Sequence, residues 1–193
     1  MRNPKGLLTE LAEVAALALG LYLVITFAVQ TVHVIGLSMY PTVDDQDYLI
    51  ALKLPYHFHG PDRGDIIIMR DPYNPSRDFI KRVVALPGER ILIRNGKVYV
   101  NEHLLVEPYL QRTEPWTRDS SWPASGQEFT LGPGKYFVMG DNRNNSSDSR
   151  LFGPVSQNQI EARAWLRILP LDHFGVIGGG PPYLSTQRLP AAA

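Results

Sequence analysis

The sequence predicts a mainly β protein carried behind a single N-terminal transmembrane helix, on three observations. Val14 to Val29 runs apolar apart from Thr26. With Leu11 and Val32 at its flanks, the run reaches about 33 Å as a helix, enough to cross a hydrocarbon core of about 30 Å. From about Val34 onward the helical period fades, and short β-type runs alternate with clusters of Pro, Gly, Asn and Asp. Sixteen Gly and sixteen Pro in 193 residues exceed average usage and set turns densely enough for many short strands.

In order along the chain, residues 1–10 form a tail carrying Arg2 and Lys5, and residues 11–33 form the span. Beyond it Asp44, Asp45 and Asp47 precede the first lysine, Lys53, so the positive flank keeps the N-terminus cytoplasmic and the body lies outside. Glu13 sits near the proximal end, where a carboxylate can lie among headgroups. A cleaved signal is disfavoured, because Ala28-Val29-Gln30 and Thr31-Val32-His33 offer no small-x-small pair where the run ends; a buried core helix is the other alternative. The short lead before the span is too brief for an organelle transit peptide, which points to a bacterial plasma (inner) membrane.

The exported body is assigned to residues 34–176. Its expected strands are Tyr48–Leu52, Asp65–Arg70, Phe79–Ala85, Arg90–Arg94, Lys97–Val100, Glu128–Leu131, Tyr136–Met139 and Ile160–Leu169. Asn95-Gly96 between two of them suits a two-residue hairpin turn, since both residues tolerate positive φ. This hairpin and a following loop form an excursion over about 88–130. The stretch Glu107 to Gly126 reads as loop, with Trp116 and Trp122 either at the membrane interface or in a small cluster under the loop. Residues 177–193 open with Gly and Pro and are expected to be a disordered tail.

Composition narrows the chemistry. Nineteen basic and nineteen acidic residues balance, so no nucleic-acid partner is indicated. With no cysteine there is no disulfide, thiol nucleophile or thiolate metal site, and any nucleophile is an oxygen. Ser38, in Gly36-Leu37-Ser38-Met39-Tyr40-Pro41-Thr42, stands no more than roughly 20 Å beyond Val32 at about 3.3 Å per extended residue. A serine hydroxyl needs an adjacent base. The five histidines are scattered, and His57-Phe58-His59 has no evident orienting partner, although a Ser/His/Asp triad stays open. Lys81 shares a strand face with Phe79, Val83 and Ala85. Burial there, with Arg82 next along the strand, would disfavour the ammonium; a pKa near 7 needs about 4 to 5 kcal/mol of differential destabilisation. The alternative is a lysine that snorkels into water from an edge strand. Arg82 faces the other way and cannot act as a base.

Four segments, in this order, resemble the bacterial type I signal peptidase (leader peptidase) family. They are Ser38-Met39-Tyr40-Pro41-Thr42, Gly64-Asp65-Ile66-Ile67-Ile68-Met69, Lys81-Arg82-Val83-Val84-Ala85-Leu86-Pro87-Gly88-Glu89, and Gly140-Asp141-Asn142-Arg143-Asn144-Asn145-Ser146-Ser147-Asp148-Ser149-Arg150. The resemblance covers Val14 to Pro170. It implies a β-rich catalytic domain and a membrane-bound serine endopeptidase that removes signal peptides from pre-proteins after small-x-small residues, working at the lipid bilayer. By position it makes Ser38 the nucleophile and Lys81 the general base; Ser146 hydrogen-bonds the lysine, while Asp148 and Arg150 hold the loop. Asp141 and Asn142 would also hold it. Met39, Val43, Phe79 and Ile80 match substrate-pocket positions.

Some family members carry a hydroxyl donor to the oxyanion two residues before the nucleophile, where this chain has Gly36. The Ser38 N–H remains, and a second donor, worth about 3 kcal/mol, must come from Gly36 backbone or water. No cofactor or metal is implied: as a calcium loop the last segment fails, with Arg143 at a ligand position and no Gly at the sixth. Its two glycosylation sequons read as accidental. Two rival readings share some of these features. A self-cleaving serine/lysine protease of the repressor type would carry a DNA-binding segment where this chain has its apolar run, and a non-enzymatic anchored β domain would bind extended peptides along a sheet edge.

Overall fold

The computed structural model describes residues 4–110, 120–177 and 182–188. Helix α1 (Pro4–Ala28) contains an exposed apolar stretch, Thr9–Ala28, long enough to cross a membrane. Its C-terminal carbonyls are met from the body: the Lys53 N–H donates to Ala28 O at 2.8 Å and the Lys53 amine to Thr26 O at 3.2 Å. The chain then enters β1 (Val29–His33) without a linker. The span expected over 11–33 is thus too long by five residues. Val29 to His33 pair with β2 (Tyr48–Leu52), whose backbone satisfies theirs in an antiparallel ladder.

The other strands are β3 (Ile66–Arg70), β4 (Asp78–Ala85), β5 (Arg90–Arg94), β6 (Lys97–Val100), β7 (His103–Val106), β8 (Glu128–Thr130), β9 (Lys135–Met139), β10 (Val155–Ser156), β11 (Ile160–Leu169), β12 (Gly175–Val176) and β13 (Tyr183–Arg188). A one-turn helix, α2 (Ser149–Phe152), follows β9. Among the described residues they form two antiparallel sheets. One runs β1-β2-β11-β3-β4-β9-β10 with β12 on β11, and the other runs β13-β7-β6-β5-β8. The turn between β5 and β6 has φ of 50° at Asn95 and 66° at Gly96, the positive pair expected of that dipeptide.

The larger sheet is buried on both faces at its centre, which explains why β3 reads Ile-Ile-Ile-Met rather than alternating with polar residues. Ile66 and Ile68 join Val34, Met39, Val43 and Leu49 beneath the serine loop, while Ile67 and Met69 join Val83, Val138 and Val155 on the other side. The smaller sheet has its own core, including Ile91, Ile93, Val98, Val100 and Phe137. Trp122 packs on that core with its ring 4.3 Å from Phe129 and 5.9 Å from Phe137, the cluster alternative for this residue. Trp116 lies outside the described residues.

Part of the expected disordered tail is ordered. Tyr183–Arg188 pairs with β7, and Ser185 O contacts His103 Nδ1 at 3.0 Å. The Gly/Pro run hides this strand because β7 supplies the partner from far away in sequence.

Candidate active site

Ser38 sits in the loop between β1 and β2, in a stretch tied to the body at both ends. Val34 N–H donates to Asp47 O at 2.8 Å, Gln46 N–H to Val34 O at 2.9 Å and Val43 N–H to Met39 O at 3.0 Å. Met39 and Val43 anchor the loop in the core at 1% and 0% exposure, leaving the half-buried Ser38 turned to a cleft.

Across from it, β4 presents Lys81 and Arg82 on opposite faces, each 3% exposed. Lys81 Nζ lies 2.9 Å from Ser38 Oγ and donates to Ile80 O at 2.8 Å, with the Phe79 ring centroid 5.0 Å away. Burial pushes the amine down from the usual 10.5 to about 8, against the carboxylates of Asp148 and Asp141, which favour its charged form. The snorkelling alternative does not fit these contacts. Arg82 makes a two-point grip on Asp141, Nε to Oδ1 at 2.9 Å and Nη2 to Oδ2 at 2.7 Å, and donates to Gly64 O at 3.0 Å.

The loop between β9 and α2 closes over the pair. Asn142 donates its N–H to Ser38 O at 3.1 Å and Nδ2 to Leu37 O at 3.0 Å. Asp148 caps α2, accepts the Gly140 N–H at 3.0 Å and pairs with Arg150 through Nε and Nη2 at 2.8 and 2.7 Å. Burial works to raise its carboxyl, but the Arg150 hydrogen bonds and charge, with the Gly140 N–H, hold it below the ordinary range. Ser146 is buried, 6% exposed, against Gly140, and its hydroxyl helps to hold the Asp148 carboxyl low. Ser146, Asp148 and Arg150 are therefore together, and the Asp148 charge acts on the lysine.

The cleft, about 810 Å³, is walled on one side by Gln30 to Ser38 and on the other by Arg77 to Lys81, with Ile68 on its floor. Phe79 and Ile80 line it. Met39 and Val43 do not, because side chains next to and beyond Ser38 turn inward and pack in the core. The Gly36 N–H, one of two open choices for an oxyanion donor, is engaged by Asp45 Oδ1 at 2.6 Å. Composition had given no reason to single out Asp45. No metal-holding group of His, Cys, Asp and Glu occurs among the described residues.

An apolar helix joined to a β scaffold, with a buried amine on a serine hydroxyl in a strand-walled cleft, defines a class of β proteins with an N-terminal membrane-anchoring helix. Residues 8–169 match the family described as "Signal peptidase, peptidase S26". The chain is 37% identical over 179 residues to the signal peptidase I of Leptolyngbya laminosa, covering 86% of this chain and 80% of that protein. It is 32% identical over 146 residues to the human mitochondrial inner membrane protease subunit 1, covering 76% and 73%. A crystal structure of a signal peptidase I from Enterococcus faecalis shares 33% identity, covers 54% of this chain and 97% of its own, and superposes with a TM-score of 0.43. The chain belongs to the signal peptidase family, peptidase S26, and is a peptidase of that family.

Proposed function

We propose that this protein is a serine endopeptidase that removes N-terminal signal peptides from exported pre-proteins, with Ser38 as nucleophile and Lys81 as general base. The contact of Lys81 Nζ with Ser38 Oγ at 2.9 Å, within a buried environment, supports this reading most directly. A neutral amine takes the serine proton as Ser38 attacks the scissile carbonyl, and the resulting ammonium returns a proton to the leaving amine. The freed lysine then activates water to hydrolyse the acyl-enzyme. Ser146, Asp148 and Arg150 hold the loop and set the field around the amine. The Ser38 N–H serves as one oxyanion donor, and since Asp45 engages the Gly36 N–H, water is the remaining choice for the second.

The substrate enters as an extended strand between the cleft walls, with small residues at the first and third positions before the cut and Phe79 and Ile80 in contact. The apolar helix anchors the enzyme with its N-terminus in the cytoplasm and its body outside, where signal peptides emerge from the bilayer. Cleavage of a pre-protein ending its signal in a small-x-small motif tests this in detergent. Lys81→Ala is expected to abolish turnover with the fold retained, and Lys81→Arg is expected to be equally inactive because guanidinium keeps its proton. Unchanged turnover in both would remove Lys81 as the base, and a parent that binds the pre-protein without cleaving it would leave the anchored β domain that binds extended peptides as the reading.

A further inference from the structure

Glu107 and Tyr109 lie just past β7, in the stretch whose composition reads as an excursion loop, yet both are enclosed. The Glu107 side chain is 7% exposed and Tyr109 is 5% exposed. Glu107 accepts hydrogen bonds from Arg143 Nη1 at 2.8 Å, from Arg143 Nη2, and from the Tyr109 hydroxyl at 2.6 Å. Arg143 Nε in turn donates to Gly140 O at 3.1 Å. The Tyr109 ring lies under the Arg82 guanidinium, 3.8 Å from its centroid, and Arg82 grips Asp141. Both chain neighbours of Asn142 are therefore held from the smaller sheet's side, Asp141 through Tyr109 and Arg82, and Arg143 through Glu107. Asn142 is the residue that binds Leu37 O and Ser38 O.

We propose that Glu107 is a positioning residue for the nucleophile, fixing Arg143 so that Asn142 and Gly140 hold the Ser38 backbone at its distance from Lys81. The idea rests on the serine–lysine reading above. There is little slack in this path, since a Cβ at Gly140 would stand 2.4 Å from Ser38 O and 2.3 Å from Ser146 Oγ. Removing the carboxylate deprives a buried guanidinium of its counter-charge, and the arginine is driven to seek water, carrying the Gly140 carbonyl with it. A displacement of about 1 Å at a reacting group is enough to cost about a hundredfold in rate.

The test uses the full chain in detergent with a pre-protein substrate, comparing Glu107→Ala, the conservative Glu107→Gln, and Ile93→Ala in the smaller sheet's core as a control for lost stability. Each is assayed below its melting temperature for kcat and KM, and for hydrogen exchange at the Asn142 N–H. Glu107→Ala is expected to lower kcat about a hundredfold with KM unchanged and to speed Asn142 exchange. Glu107→Gln should show a smaller loss of the same kind, and Ile93→Ala should keep the parental kcat and Asn142 protection. Parental kcat in the Glu107 variants, or an equal loss in Ile93→Ala, overturns the proposal. If Glu107→Ala fails to fold, parental kcat and protection in Glu107→Gln overturn it. A parent without Lys81-dependent cleavage removes both readings, whereas Lys81-dependent cleavage indifferent to Glu107 removes this one alone.

Discussion

At the scale of single residues, burial of the Lys81 amine costs stability. Its folded pKa of about 8 lies below the ordinary 10.5, so the folded chain binds fewer protons than the unfolded chain between those values. Stability rises with pH across that window, and below about pH 8 the penalty is fully present, at about 3 kcal/mol. Lys81→Met is therefore expected to be inactive yet more stable at pH 7, by up to about 3 kcal/mol, with the gain shrinking towards pH 10.5. Urea unfolding at the two pH values checks this, and an equal gain at both would refute it. The same depressed pKa should give the wild type an acidic limb of activity that rises through about pH 8. Ser38 and Lys81, which the fold brings within 2.9 Å, could be singled out in the sequence because each stands in a distinctive segment. Asp45 and Glu107 could not, because their partners Gly36 and Arg143 are brought to them by folding and leave no local pattern.

At the scale of elements, legibility followed locality. Tyr48–Leu52, Arg90–Arg94, Lys97–Val100 and Ile160–Leu169 have the bounds read from their β-type runs. The strands missed fall into three kinds. Val29–His33 merges with the apolar run before it, while Tyr183–Arg188 depends on His103–Val106, far away in the chain, for its partner. Two-residue strands such as Val155–Ser156 carry no period to detect. The loop from Gly140 to Asp148 shows how closely elements meet at the site. Gly140→Ala would set a methyl against Ser38 O and Ser146 Oγ at 2.4 and 2.3 Å, and the Ser38 contact is backbone that cannot rotate away. This variant is expected to lose most activity while melting as one cooperative unit, as kinetics and circular dichroism would record; a parental rate would show that the serine loop is free to shift.

At the scale of the whole molecule, the β class and the leading apolar helix were readable, but the division into two sheets was not. Short strands of similar composition supply both, and only the register of β4 with β9 and of β5 with β8 separates them. The smaller sheet looks peripheral in sequence, yet Glu107 and Tyr109 join it to the serine loop. The passage from Ala28 to Val29 has a further consequence. On the proposed reading, a helix fused to an edge strand would set the cleft at a fixed height above the lipid surface. A Gly-Ser spacer placed between those two residues should spare hydrolysis of a short soluble peptide while slowing removal of a leader still embedded in vesicles. Equal rates on the embedded precursor, with and without the spacer, would mean that the stalk acts as a leash and does not gauge depth.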